Sequence, residues 1–166
     1  DVHTGPNALD RMLEERPGNA VVIAGRNRQK IEFLPQMIAR NLHVLVDKPA
    51  ITEPEHFDRF EDAVAAAAAR NVVILDIMTR RHELPTRVQR SLVNDPNVLG
   101  TPLPASADQP AVYLKALHHL AKIVDGQPNR RPTWYFDVRE QGEGLADVSV
   151  HLVDQVLWTM FPGEAI

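Results

Sequence analysis

A lysine stands where an apolar run stops. The stretch "HVLVDKPA", residues 43–50, passes from Val44, Leu45 and Val46 directly into Asp47, Lys48 and Pro49. The β-branched run reads as a buried strand. Open α/β sheets hold their ligands at the carboxyl ends of their strands, so a lysine at this point is placed for proton transfer. Pro49 fixes its own φ and biases Lys48 toward extended backbone. A solvated lysine just past a strand has the same local sequence.

A second group lies about a hundred residues on, in "GEGLADVSVHLVDQVLW". On a helix, Asp147, His151, Asp154 and Trp158 fall within a stripe of about 60°. Asp147 precedes His151 by four residues, which sets the two side chains next to each other. A carboxylate there can orient an imidazole that handles protons. Val150, Val153, Val156, Leu157 and Met160 occupy the other side and would anchor the helix on a core. An exposed polar face with one i,i+4 pair has the same spacing. Trp158 argues against full exposure of that face.

A third group falls in residues 111–125, read as a helix. Val112, Ala116, Leu120, Ile123 and Val124 make its apolar arc. Lys115, His118, His119 and Lys122 gather within about 100° on the other side. Such a cationic face suits a phosphate or a polyhydroxy ligand, or simply solvent. A metal site joining His118 or His119 to Asp147 and His151 is a further arrangement.

Elements must hold these groups in place. "AVVIAG", residues 20–25, is an apolar run closed by glycine and reads as a strand. Ile31, Leu34, Met37 and Ile38 recur at helical spacing over residues 27–40. The next helix, about 53–70, begins at a capping box formed by Thr52 and Glu55. It carries Phe57, Phe60 and Val64 on one face, with an alanine run over 65–69 suited to close packing. "VVILDI", residues 72–77, is a third strand. Strand–helix–strand–helix–strand order implies a parallel sheet. A helix over 84–95, the proline-rich loop 100–110, an aromatic strand in "TWYFDV" (133–138) and a last helix over 145–160 complete the pattern. The domain change falls between residues 80 and 100.

The bulk of the chain is that of a globular protein: 166 residues, 44% hydrophobic and 24% charged. A net charge of −4 gives no support for nucleic acid or an anionic membrane as partner. Cysteine is absent, which excludes disulfides and thiolate metal sites. No run approaches the roughly 18 apolar residues of a membrane span, and a signal-peptide pattern is missing. A reducing, cytoplasmic setting is the expectation.

"NLHVLVDKPA" resembles the G-x-x-V-x-x-E-K-P element of the Gfo/Idh/MocA oxidoreductases, with Asp47 in place of the usual glutamate. "AVVIAGRN" is similar to that family's preceding strand, which ends in an asparagine loop at the nicotinamide site. Where the family often has histidine three residues after that asparagine, this chain has Lys30. "TRRHELP" is similar to the arginine-x-x-x-proline passage into the substrate domain. "GEGLADVSVHLVDQVLW" is similar to the glycine-rich turn followed by D-x-x-x-H on a helix. The resemblance implies a partial Rossmann-type parallel sheet over residues 1–82, the C-terminal half of a nucleotide-binding domain. Residues 83–166 would begin an α/β substrate domain with an open, largely antiparallel sheet.

It also implies hydride transfer between NAD or NADP and a sugar or polyol carbon. Lys48, Asp147 and His151 are then catalytic, with His151 the acid/base on the reacting hydroxyl. Asn27, Asp47, Lys48 and Pro49 lie near the cofactor. His119, Lys122 and Trp134 are candidate substrate contacts, no residue is assigned to a metal, and assembly runs through the sheet of the second domain. The G-x-G-x-x-G fingerprint that grips a pyrophosphate is not in this sequence. With Asp1 at the start and Ile166 soon after Pro162-Gly163, the chain reads as the middle and second part of a longer oxidoreductase. A non-catalytic carbohydrate- or partner-binding module and a metal-dependent hydrolase or isomerase are the alternatives.

Overall fold

The computed structural model describes residues 2–115 and 122–164. Its chain divides into two compact units, Asp1–Ile77 with Thr133–Glu143, and Met78–Pro132 with Gly144–Ile166.

The first unit is built on three parallel strands, β1 (Ala20–Ile23), β2 (His43–Val46) and β3 (Ile74–Asp76), in that spatial order. Helix α1 (Ala8–Glu15), which periodicity did not bring out, precedes them and buries Leu13. Helices α2 (Asn27–Ala39) and α3 (Phe57–Ala69) form the crossovers and pack on each other. Core residues Ile31, Leu34, Met37 and Ile38 of α2 close over Val44 and Val46 of β2. The strand–helix–strand order and the parallel sheet are as the sequence indicated.

Both crossovers stop in the same way. Asn41 and Asn71 each follow an arginine and take left-handed φ values of 55° and 54°. Leu42 N–H then donates to Met37 O at 3.1 Å, and Val72 N–H to Ala67 O at 2.9 Å. Asn41 and Asn71 also donate to Ile38 O and Ala68 O. This six-to-one and five-to-two pairing is the Schellman stop, with asparagine tolerating the left-handed position. Leu42 and Val72 are buried immediately after it, which aims each following strand.

Local details of α3 differ from expectation. No side chain caps it, and among the described residues the buried Thr52 hydroxyl has no hydrogen-bond partner, so the Thr52–Glu55 box does not form. Pro54–His56 instead make a tight 3₁₀ turn ahead of the helix. The face that goes inward is Ala63 and Ala67, with Phe60 packed against the core at its edge, while Phe57 and Val64 stay exposed. The small side chains let α3 approach its neighbours closely.

Residues 133–143 return to this unit. "TWYF" is a 3₁₀ turn, Thr133–Phe136, not the strand its aromatic content implied, and the short helix α6 (Val138–Gln141) packs on α2. Pro132 and the Asp137 side chain, which accepts from Arg139 N–H, favour a turn and a helix start over a ladder.

The second unit opens with the 3₁₀ turn Thr79–His82, followed by α4 (Leu84–Val93) and α5 (Pro96–Leu99). Residues 100–115 carry no regular element, in line with their prolines. The helix expected over 111–125 is not what the described part shows. Residues 122–125 enter a hairpin, β4 (Ile123–Val124) paired antiparallel with β5 (Gln127–Pro128). Asp125-Gly126, both at positive φ, forms its two-residue turn, and Asp-Gly is the hairpin signal that helical periodicity obscured. A π-turn, Leu145–Ser149, leads into α7 (Val150–Met160), which packs on α4. Among the described residues no helix is long and apolar enough to cross a membrane.

Candidate functional site

In the first unit the site candidates converge on the carboxyl ends of β1 and β2. Asp47 N–H donates to Ile23 O at 2.9 Å, and Ile77 N–H to Val46 O at 3.0 Å, so the ladder runs to its last residue before the Lys48–Pro49 turn. The Lys48–Pro49 peptide is cis. Lys48 is half-buried. Asn27 opens α2 just beyond β1, is buried, and donates from Nδ2 to Gln141 O at 2.8 Å. One turn on, Lys30 Nζ donates to the carbonyls of Asp47 (2.7 Å) and Lys48 (3.2 Å) and lies 3.9 Å from the Asp47 carboxylate. Asp47, Lys48 and Pro49 thus form one turn whose backbone Lys30 holds, while Asn27, one turn earlier on the same helix, is tied to Gln141.

Trp134 belongs to the same end of this unit. The Arg26 guanidinium lies 4.6 Å from its ring centroid, a cation–π distance. Glu140 on α6 sits 3.7 Å from Arg26 and 3.5 Å from Arg28. Gln141 Oε1 is buried with no hydrogen-bond partner among the described residues. It is an acceptor beside Asn27 that asks for a donor.

In the second unit the polar stripe of α7 faces inward, opposite to a solvated face. Asp147 and Asp154 are buried, whereas Val153 is exposed. Arg81 explains the inversion. Its Nε lies 2.9 Å from both Asp154 carboxylate oxygens, and its Nη2 also donates to Oδ1. A bidentate guanidinium satisfies a carboxylate that is 8% exposed, and it commits Asp154 to structure rather than proton transfer. Trp158 is covered by Arg90, whose guanidinium lies 4.3 Å from its ring centroid.

Asp147 sits in the wide π-turn, so the 100° step does not apply to it; such turns recur at functional sites. His151 Nδ1 is 3.2 Å from Met78 Sδ. A thioether can only accept, so this contact favours the tautomer with hydrogen on Nδ1. Lys122 is exposed at the foot of the hairpin, its carbonyl accepting from Asn129 N–H at 2.7 Å. His119 lies outside the described residues. A cavity of about 320 Å³ bordered by Gln89, Gln155 and Thr159 contains none of the sequence-predicted site residues. Among the described residues no cluster of histidine and carboxylate side chains could hold a metal ion.

Sequence reasoning passed over Lys30 and Arg81 as participants. The signal for Lys30 was available. Asn27, Lys30, Ile31, Leu34 and Ile38 share one helical stripe, so two polar residues continue a core face and require buried partners. Arg81 carried no such periodic signal.

Residues 88–166 match the family model described as "Putative oxidoreductase C terminal domain". No curated protein matches the chain. Among solved structures, a "putative oxidoreductase" from Parabacteroides merdae is 41% identical over 99% of this chain, with a TM-score of 0.88. This chain spans 37% of that protein's length. GenD2 from gentamicin A biosynthesis, solved with NAD, is 20% identical with a TM-score of 0.66, over 92% of this chain and 39% of its own. The WlbA (WbpB) dehydrogenase from Thermus thermophilus, solved with NAD and UDP-GlcNAcA, is 14% identical with a TM-score of 0.61, over 94% and 46%. The last two share the fold.

Proposed function

We propose that this is an NAD(P)-dependent dehydrogenase of the Gfo/Idh/MocA type, a reading supported by the match of residues 88–166 to the oxidoreductase C-terminal domain model and by the fold shared with the Parabacteroides merdae protein over 99% of the chain. Its substrate is a sugar or polyol, and its setting is the cytoplasm. Residues 1–82 are the second half of a Rossmann-type domain and residues 83–166 begin the substrate domain. The observation that carries this reading is Lys48, half-buried just past the carboxyl end of the central parallel strand, its carbonyl held by the buried Lys30. That is where a doubly wound sheet takes a nucleotide cofactor.

The residues present suit the nicotinamide end of such a cofactor. Asn27, Asp47, Lys48 and Pro49 would hold it, and the unpartnered Gln141 Oε1 supplies an acceptor for a carboxamide N–H. When bound, the nicotinamide supplies the hydride acceptor. His151 Nε2 takes the proton of the substrate hydroxyl as its carbon loses hydride and the carbonyl forms. Met78, whose Sδ is 3.2 Å from Nδ1, holds the imidazole for that transfer, with the buried Asp147 carboxylate four residues earlier in the chain. Lys48 orients the reacting hydroxyl or returns a proton in the reverse direction. Of the substrate contacts read from sequence, Trp134 is half-buried under Arg26 and suits a sugar face; Lys122 is exposed.

The test is steady-state oxidation of a panel of sugars and polyols by the intact protein with either nicotinamide cofactor. Lys48→Ala and His151→Ala are each expected to lower kcat by about 10²–10⁴-fold, the usual contribution of general acid–base groups. The double variant should lose much less than the product of the two, because the pair acts on one reaction. Turnover unaffected by either change would remove the dehydrogenase reading.

A further inference from the structure

Lys30 is fully buried, at 0% exposure, in a stripe of α2 whose other members are Asn27, Ile31, Leu34 and Ile38. Burying an ammonium group is among the most costly choices a core can make, and it persists only with partners. The fold alone would be served by another leucine or methionine at this position. The partners that Lys30 does have are specific. Its Nζ donates to the main-chain oxygens of Asp47 and Lys48, at 2.7 and 3.2 Å, and faces the Asp47 carboxylate at 3.9 Å. An ammonium has three donors in a compact head, and two of them are spent on the backbone of the two residues that follow the central strand.

We infer that Lys30 is a positioning residue: it pins the main chain at Asp47 and Lys48, so that the Lys48 ammonium is presented at one place beyond the sheet. The inference rests on the reading of Lys48 as the proton-handling lysine. Asn27 and Lys30 divide the work from one helix, Asn27 tying α2 to α6 through Gln141 and Lys30 tying it to the turn after β2.

The test uses the intact protein and three variants, Lys30→Met, Lys30→Gln and Lys30→Arg. Lys30→Met keeps the length and removes the donors. Lys30→Gln keeps a donor of shorter reach and serves where Lys30→Met does not fold. Lys30→Arg keeps the charge and the donors. In Lys30→Met, kcat is expected to fall between about tenfold and a hundredfold, as a displaced catalytic group does. KM should stay within about threefold, because only the Lys48 contact is disturbed. Lys30→Arg should recover most of kcat.

A second readout needs no turnover. Lysines are reductively methylated with ¹³C and the Lys48 signal is assigned by its loss in Lys48→Ala. In ligand-free Lys30→Met that signal should move to the position of solvent lysines. If it stays at the wild-type position in a folded variant with kcat unchanged, Lys30 is a structural residue only and the inference falls. If Lys48→Ala itself leaves turnover intact, the role of Lys48 fails, while a shifted methyl signal still upholds the pinning.

Discussion

At the scale of single residues, the polar groups of residues 147–154 part company. Asp147, in the π segment, and His151, on α7, are left for proton handling, whereas Asp154 is occupied by Arg81. Arg81 is 44% exposed, so the pair is half solvated and the interaction is that of charged hydrogen bonds, not of a fully buried ion pair. The two deletions are unequal: Arg81→Ala leaves a buried carboxylate and is expected to cost about 2 kcal/mol, whereas Asp154→Ala leaves a half-solvated guanidinium and should cost about 1 kcal/mol. The double variant should cost little more than the worse single, since the two share one interaction. Urea unfolding followed by the fluorescence of Trp158, which lies one turn beyond Asp154, reads this directly. Equal and additive losses would mean that each side chain has other work.

At the scale of elements, the crossovers can be tested at their stops and at their contact. Asn41 and Asn71 hold left-handed backbone so that Leu42 and Val72 turn inward and the next strand starts in register. Asn41→Val is expected to destabilise by about 1–2 kcal/mol, since a β-branched side chain suffers most there, and Asn41→Gly to be neutral or better. A thermal melt of both variants, with Asn71 as an independent repeat, separates backbone strain from loss of the amide. Helices α2 and α3 are joined by Arg59, which clasps Glu32 with bonds of 2.5 and 2.7 Å. That hydrogen-bonded guanidinium holds the Glu32 carboxyl below its ordinary range. A depressed carboxylate stabilises the fold above its unfolded value, near 4.3, and the contribution disappears as pH falls through the lower folded value. Both side chains are largely exposed, so the pair is worth under about 1 kcal/mol. The melting temperature of wild type should exceed that of Arg59→Ala by a small margin at neutral pH. The margin should close as pH drops below 4. A margin that persists in acid would assign it to packing of the arginine stem.

These elements also mark what could be read in the sequence. Periodicity located α2, the three strands and their parallel order, because the apolar residues there face one core. It failed where another rule took precedence. Residues 122–125 follow Asp-Gly turn chemistry rather than the helical arc of which Ile123 and Val124 were made a part. The "TWYF" segment has strand composition, but it stands between Pro132 and the capping Asp137 and folds as a turn. The buried side of α7 is polar because Arg81 reaches it from a turn seventy-three residues earlier, a contact no local pattern encodes. Lys48 was legible because strand, charge and proline stand side by side; its support from Lys30 was legible as well, since Asn27 and Lys30 continue the apolar stripe of α2 and so require buried partners.

At the scale of the whole molecule, the parallel sheet is covered on one face only among the described residues. Register aligns Val22 with Leu45 and Leu45 with Leu75, a row that crosses all three strands on the face away from Val44 and Val46. Val22 is 60% and Leu75 51% exposed, and Val73 stands beside them. Parallel sheets are ordinarily buried on both faces, which is why the strands read as continuous apolar runs. A contiguous apolar row on a twisted sheet is a surface that seeks a cover. The 166-residue chain on its own is therefore expected to bind a hydrophobic dye and to self-associate, with both effects rising with concentration. Leu75→Lys, on the outer strand, should reduce dye binding and association together, and it should leave the melting temperature within a few degrees, since it deletes no core contact. The Parabacteroides merdae protein is longer than this chain, which spans 37% of it. A longer protein carrying these residues should show neither effect, and Leu75→Lys in it should be strongly destabilising, because there the new charge would be buried without a partner. Dye binding equal in the short and long proteins, with Leu75→Lys harmless in both, would show that the row is solvated in the working molecule and that the sheet is one-sided by construction.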